Sequence, residues 1–203
     1  MIRIHGIAKS RAFRCIWAAE EAGLAYEVVP VGFGPGIKTE AFLKVNPNGK
    51  IPAMEDGALV LFESLAINLH IAARAGAPLL PAGDDASRVL QWTLWAGTEV
   101  EPAAMQWGYN TYMRPPAERD AGQAAAGAAG LHARLDVLEG QLGANAHLLG
   151  NVFTIADCNL AGVLYGVWSN TFDFDGHPRV KAWLERCFNR PGALAARAQR
   201  DAA

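Results

Sequence analysis

The sequence predicts an α/β domain followed by an all-α domain. Three observations carry this. The first third alternates short strand-like runs with helix-period segments, and its last two strand-like runs meet at a turn signal. Gly76 to Ser87, "GAPLLPAGDDAS", breaks the pattern with Pro, Gly and Asp, as an interdomain linker does. Beyond it every periodic segment carries helical spacing. At 203 residues the chain is long enough for two small domains. The predicted division is 1–78 for the α/β domain, 79–85 for the linker and 86–203 for the helical domain.

"IRIHG" (Ile2 to Gly6) is a strand pattern. "SRAFRCIWAAEEAGL" follows, with Ser10 a candidate N-cap and Gly23 a candidate residue just past the C-cap. "AYEVVPV" is a second strand, and Pro30 puts its end at an edge. "KTEAFLKVN" (Lys38 to Asn46) is a short helix stopped by Asn46-Pro47. "IPAME" and "ALVLF" flank Asp56-Gly57, a strong hairpin signal. From Glu63, "ESLAINLHIAARAGA" returns to helical spacing. The order β-α-β-α-β-β-α implies a parallel βαβ unit plus an antiparallel hairpin in one mixed sheet.

In the second domain a long aromatic helix begins near Ser87, and Pro102 should kink or break it. "ERDAGQAAAGAAGLHARLDVLEGQLG" is Ala-rich and weakened by its glycines. "TIADCNLAGVLYGVWSN" is apolar on nearly all sides and should be a buried central helix. "HPRVKAWLERCFNR" sets Val180, Trp183, Leu184, Cys187 and Phe188 on one stripe, and a last turn or two lies around "GALAARAQR".

The chain is 51% hydrophobic with a formal net charge of -2, enough apolar material for a substantial core. It lacks the Lys/Arg block of a nucleic-acid or anionic-membrane surface. Small molecules or proteins are therefore the expected partners, with no nucleic acid and no membrane. No signal-peptide pattern opens the sequence, and no apolar run is long enough to span a bilayer. Three cysteines without a CxxC spacing read as buried thiols, consistent with a reducing, cytoplasmic location. The five histidines show no metal-ligand spacing, so no metal is expected.

The most informative stretch is Asn46 to Ile67, "NPNGKIPAMEDGALVLFESLAI". A proline sits where a strand begins, and an acid and a serine open a helix. With Thr154-Ile155-Ala156-Asp157, a capping-box pattern in the second domain, these motifs resemble the cytosolic glutathione transferases, bacterial type. The resemblance covers essentially the whole chain. It implies a thioredoxin-like βαβαββα domain, a helical bundle domain, glutathione as co-substrate and a homodimer.

By that resemblance Ile51-Pro52 is a cis junction whose Ile51 backbone pairs with the cysteinyl unit of glutathione. Ser64 takes the γ-glutamyl carboxylate and Glu63 neighbours the γ-glutamyl ammonium. The same two residues also read as plain helix capping. Lys50 and Lys38 are candidates for the glycyl carboxylate, although a loop lysine can be merely solvated. Ser10 is the catalytic candidate because neither Tyr nor Cys occupies the strand-to-helix junction "HGIAKSRAF". Arg11 and Lys9 would assist electrostatically, and Ser10 also reads as a simple N-cap.

An acceptor-substrate pocket is expected where the domains meet, with Trp95, Thr98, Met105, Trp107 and Tyr109 as candidates and Tyr112 nearby. The same aromatics suit core or dimer packing. The expected activity is transfer of the glutathione thiolate to an electrophilic, apolar small molecule. The alternative is a non-catalytic module of the same fold that binds glutathione or a protein.

Overall fold

The computed structural model describes residues 1–202. They form two compact units. Unit 1 is Met1–Ala82 together with the chain from Asn189 onward, and unit 2 is Gly83–Phe188.

Unit 1 is built on a four-stranded sheet of order β2-β1-β3-β4. Strand β1 (Ile2–Gly6) pairs in parallel with β2 (Tyr26–Pro30), Ile4 opposite Val28. Strand β3 (Ala53–Asp56) runs antiparallel to β1, Met54 opposite Ile4, and β4 (Leu59–Phe62) runs antiparallel to β3. Helix α1 (Ala12–Ala22) makes the crossover between β1 and β2 and ends at Gly23 in the left-handed region, as its sequence implies. Helix α2 (Glu40–Val45) is capped by Thr39, whose hydroxyl accepts from the Phe42 N–H at 3.3 Å. Helix α3 (Ser64–Ala75) completes the domain. Ile4, Ile16, Trp17, Met54, Ile67 and Ile71 are fully buried and form its core.

The hairpin turns one residue later than Asp56-Gly57 implies. Asp56 remains in the ladder opposite Leu59, and Gly57, at φ 62°, and Ala58 make the loop. The Asp56 carboxylate reaches across to α3, where it meets His70 Nε2 at 2.9 Å and Arg74 Nη1.

Helix α9 (Pro191–Ala202) returns to unit 1 and packs on α1, whereas the sequence division groups it with the helical domain. Charge and hydrogen bonding draw it there. Arg190 grips the Glu21 carboxylate with Nε and Nη2, at 3.0 and 2.7 Å to Oε2. Gln199 Nε2 donates to the Tyr26 hydroxyl at 2.6 Å, and that hydroxyl donates to Glu20 at 2.5 Å. Burial and the Glu20 hydrogen bond push the Tyr26 phenol up to about 12.

Unit 2 is helical. Helix α4 (Asp84–Trp95) runs through a π-turn, Ala96–Val100, into α5 (Glu101–Gly108), and a second π-turn covers Tyr109–Met113. Pro102 therefore does not break the path. The Glu101 N–H donates five residues back to Ala96, so the regular ladder is already interrupted where the proline lacks its donor.

Helix α6 (Ala121–Leu142) tolerates its glycines because two of them form a crossing with α5. A Cβ on Gly127 would lie 2.5 Å from the Trp107 backbone nitrogen, and one on Gly130 3.3 Å from Ala103 Cβ. Helix α7 (Ile155–Trp168) is the buried central helix. Its capping box is complete: the Asp157 carboxylate accepts from the Thr154 N–H and hydroxyl, the Leu148 N–H and the Trp183 indole. Helix α8 (Pro178–Phe188) buries the stripe Val180, Trp183, Leu184, Cys187 and Phe188. No helix of the described residues is long and apolar enough to cross a membrane.

Candidate functional site

The candidate site of unit 1 is assembled from three chain segments. The first is the turn between β1 and α1. Gly6 has φ 152°, and a Cβ there would lie 2.8 Å from Ala12 Cβ, 3.6 Å from Ile51 Cβ and 3.6 Å from Ser10 Oγ. Glycine thus lets three segments converge on one point. Ser10 is not the formal N-cap of α1, which begins at Ala12 with Arg11 before it. Its hydroxyl nevertheless accepts from the Ala12 N–H at 3.1 Å and donates to the Ile7 carbonyl at 2.7 Å. A hydroxyl has one proton and two lone pairs. The acceptor role towards Ala12 is compatible with catalysis, whereas the proton now given to Ile7 would have to swing towards a sulfur. Lys9 and Arg11 are both exposed at this turn.

The second segment is the loop before β3. The Ile51-Pro52 peptide is cis, and Ile51 stands before the first ladder residue, Ala53. The Ile51 side chain is buried with Phe42 and Ala53, against Ile7, Val31 and Ile37. Its side chain anchors the residue, which leaves the main chain as the part it can offer. Asn46 builds the loop that delivers it: Nδ2 donates to the Lys50 carbonyl at 2.6 Å, and Oδ1 accepts from the Asn48 N–H at 3.0 Å. Sequence reasoning read Asn46 only as a helix stop, yet it is 2% exposed. Gly49, at φ 58°, lies beneath Lys38, whose Nζ would sit 3.5 Å from a Cβ there. Lys38 Nζ therefore stands beside the residue that precedes Lys50, and both lysines are exposed.

The third segment is the start of α3. Glu63 has φ 70° and ψ 109°, the one non-glycine residue with positive φ among the described residues. Such a conformation costs roughly 1–3 kcal/mol and recurs where ligands are clamped. No side chain caps this helix. The Ile67 N–H, donating to Glu63 at 2.9 Å, makes the helix's first bond, so the N–H groups of Ser64, Leu65 and Ala66 have no partner within it. The capping reading of Glu63-Ser64 is thus not realised. Ser64 is 5% exposed and accepts from Arg14 Nη1 at 3.3 Å.

Arg14 is itself 6% exposed and was not singled out from the sequence. The sequence signal was one guanidinium among apolar residues, and its meaning needed the structure, which buries all of residues 12–19. A buried arginine needs partners, and here one of them is the candidate anion site. Beside it Cys15 Sγ lies 3.7 Å from the Ser64 carbonyl. Burial pushes its thiol well up, with Arg14 opposing, so Cys15 is a protonated packing group.

The acceptor candidates lie in unit 2. Trp107 is 6% exposed, edge-on to Phe172 at 5.2 Å and to Tyr112 at 5.6 Å, which makes it core. Trp95 stands edge-on to Trp92 at 5.2 Å and is half-buried, as is Met105. Thr98 is exposed, its hydroxyl donating to the Leu94 carbonyl at 3.1 Å. Tyr109 is exposed, with the Arg114 guanidinium 5.0 Å above its ring.

One histidine does join a potential metal-binding group: His147, Asp157 and Cys187 bring ligand atoms within 4.8 Å of one another. The Asp157 oxygens already take the four hydrogen bonds described above. The chemistry of this group is that of a helix cap.

Comparison with known proteins accords with this geometry. Residues 3–73 match the family model "Glutathione S-transferase, N-terminal domain", and residues 100–191 match "Glutathione S-transferase, C-terminal domain". Glutathione S-transferase 3 of Zea mays is 36% identical over 201 residues, covering 94% of this chain and 90% of the relative. The structure of the theta class glutathione S-transferase of Xanthomonas axonopodis pv. citri, with glutathione bound, superposes with a TM-score of 0.90 at 31% identity, covering 96% of each chain. Glutathione transferase F7 of Populus trichocarpa gives a TM-score of 0.90 at 27% identity, covering 98% of this chain and 99% of the other. Both family models and a relative 36% identical over nearly its whole length agree: the chain belongs to the glutathione S-transferase family.

Proposed function

We propose that the chain is a glutathione transferase that holds glutathione across the Ser10 turn, the Ile51 backbone and the N-terminus of α3, and delivers its sulfur to an apolar electrophile. One observation carries this reading. Helix α3 begins, after a strained Glu63, with N–H groups that have no partner within the helix and with a buried serine, faced by the buried Arg14 of α1, and it lacks any side-chain cap. The N–H groups, the serine hydroxyl and the guanidinium are donors that fit a carboxylate. An α-amino-acid end would also suit Glu63, whose carboxylate can face an ammonium. The exposed Lys38 and Lys50 suit the carboxylate at the other end, and the Ile51 main chain suits a peptide between them.

Glutathione supplies the thiol that becomes the nucleophile. At its free pKa a thiol is mostly protonated at neutral pH, and lowering that value by two units takes roughly 3 kcal/mol. Ser10 contributes by turning its proton from Ile7 towards the sulfur while still accepting from Ala12. The exposed Lys9 and Arg11 add positive potential at the same turn. Tyr109 and Thr98 offer aromatic and polar surface for an acceptor. We assign no metal to the reaction.

A second reading has its own observation. The Ser10 hydroxyl is engaged at both ends, by Ile7 and Ala12, as a purely structural serine would be. On that reading the protein binds glutathione or a protein partner without turnover. Retention on immobilised glutathione, lost in Ser64→Ala, is expected under both readings, and its absence in the unmodified protein overturns the site itself. Conjugation of an aromatic electrophile by the unmodified protein is expected only under the first.

We further propose a homodimer in the cytoplasm. Edge strand β4 exposes Leu59, Val60 and Phe62 by 41–43%, and α4 exposes Leu90 by 48% and Leu94 by 57%. An uncovered apolar edge strand invites a partner. Three buried free cysteines suit a reducing compartment. Light scattering should give twice the 21.7 kDa chain mass, and the monomer mass would refute the dimer.

A further inference from the structure

The Ile7–Ser10 turn is closed by its own bonds. The Ser10 N–H donates to Ile7 at 2.9 Å, and the Ser10 hydroxyl donates to the same carbonyl. These bonds fix the shape of the turn and leave its position to its surroundings. Its upstream end is held where the Val31 N–H donates to the Gly6 carbonyl at 3.3 Å, and its downstream end where the Phe13 N–H donates to Ser10 at 3.1 Å. Between them Ile7 and Ala8 border a cavity of about 210 Å³, shared with Gly6, Ile16, Val28 and Gln199. The middle of the turn is therefore not wedged from that side by packed side chains.

What reaches it is the end of the chain. Arg200, in the last turn of α9, donates from Nη1 to the Ala8 carbonyl at 2.9 Å. Its guanidinium also lies 5.9 Å from the centre of the Phe13 ring. A hydrogen bond from a charged donor is among the stronger kinds, and arginine is suited to fixing a main-chain oxygen while lying over a ring. Helix α9 is rigid enough to act as the anchor, since Arg190 clamps Glu21 at its start and Gln199 grips Tyr26 near its end.

We propose that Arg200 is a positioning residue: it pins the Ala8 carbonyl and so sets where the Ser10 hydroxyl stands relative to the bound thiol. The role rests on the transferase reading for its catalytic consequence, and on geometry alone for its structural one. The C-terminal helix thereby becomes part of the catalytic apparatus without touching substrate.

The test compares unmodified protein with Arg200→Ala, Arg200→Lys and Asp56→Asn. Amide hydrogen exchange without substrate reads the tether directly. Exchange across residues 7–12 should rise about tenfold in Arg200→Ala, the order a hydrogen bond from a charged donor is worth, while α6 stays unchanged. With glutathione and an aromatic electrophile, Arg200→Ala should lower kcat about tenfold, leave KM for glutathione within about twofold, and move the pH–rate profile to higher pH. Arg200→Lys should restore part of both effects. Asp56→Asn, which destabilises unit 1 between β3 and α3 away from α9 and the Ile7–Ser10 turn, should lower Tm and leave the profile in place. Unchanged exchange across 7–12 in Arg200→Ala overturns the tether whatever the activity. An unchanged profile, or a fall in kcat that Asp56→Asn reproduces, overturns the positioning role. An unmodified protein that shows the exchange difference but no turnover would instead remove the transferase reading and, with it, the catalytic part of this proposal.

Discussion

The Arg14 guanidinium stands 3.3 Å from the Ser64 hydroxyl, and both side chains are buried in unit 1. A serine that accepts from a buried cation can direct its own proton outward, towards an anion at the start of α3. The pair therefore couples a residue of α1 to the proposed carboxylate site at the start of α3. Arg14→Met keeps much of the volume and removes the charge. It should weaken glutathione binding roughly ten- to a hundredfold, the range for losing a hydrogen bond to a charged group. Titration calorimetry reads this directly, and Arg14→Lys should not restore it, because an ammonium lacks the planar fork. Unchanged affinity in Arg14→Met would separate Arg14 from the site.

The strands, the parallel unit and the hairpin were legible because each strand carries its own local signal, and the hairpin turn was misplaced by only one residue, whereas the lateral order β2-β1-β3-β4 emerges only in the fold. Asp56 moved out of the turn because His70 and Arg74 compete for its carboxylate, a tertiary effect that no dipeptide preference records. Glu63 and Ser64 were legible as a helix start, but their strain and the missing cap belong to the folded backbone. Arg14 was hidden by its setting, since a single charge among apolar residues reads as a surface position until the burial of its helix is known. The docking of α9 was hidden for a similar reason. Arg190, Gln199 and Arg200 look like ordinary solvated residues of a terminal helix, and their partners Glu21, Tyr26 and Ala8 lie far away in the sequence.

Gly127 and Gly140 occupy the same helix and should respond oppositely to alanine. At Gly127 the new methyl would lie 2.5 Å from Trp107 N and 2.8 Å from its Cα, so the α5–α6 crossing must open. Overpacking of this kind costs about 1–3 kcal/mol. At Gly140 nothing lies within 4 Å, and alanine should stabilise by roughly 0.5–1 kcal/mol through helix propensity. Urea denaturation of the two variants checks both signs. A tolerated Gly127→Ala would show that the helices are not in close contact there.

Asp56 should give unit 1 an acid-sensitive hinge between β3 and α3. Hydrogen bonds from His70 first, then Arg74, hold its carboxyl below the usual 3.8. A folded-state value depressed in this way stabilises the fold fully above the unfolded value. That contribution is lost as pH falls through the folded one. Asp56→Asn should therefore melt at a lower temperature than the unmodified protein at pH 7. The gap should persist down to about pH 4–5 and close at lower pH. A gap that stays constant through pH 3 would mean the carboxylate's charge is not what joins the two elements.

Ser10→Ala tests catalysis, but the structure requires it to be read against stability. The hydroxyl holds the Ala12 N–H as well as the Ile7 carbonyl, so its loss removes a cap-like bond worth about 1 kcal/mol. If that were the whole effect, Tm would fall and the pH–rate profile would keep its midpoint. If Ser10 donates to the sulfur, the thiol loses its stabilising donor. Its apparent pKa then rises, and kcat/KM at neutral pH falls roughly ten- to a hundredfold. Activity should recover at alkaline pH, where the thiol ionises unaided. Because Ala12 binds the oxygen and leaves the proton free to swing, Ser10→Thr, if its added methyl is accommodated, should retain most of the activity. A Ser10→Ala protein with an unshifted profile would return Ser10 to a structural role and leave the exposed Lys9 and Arg11 to carry thiolate stabilisation.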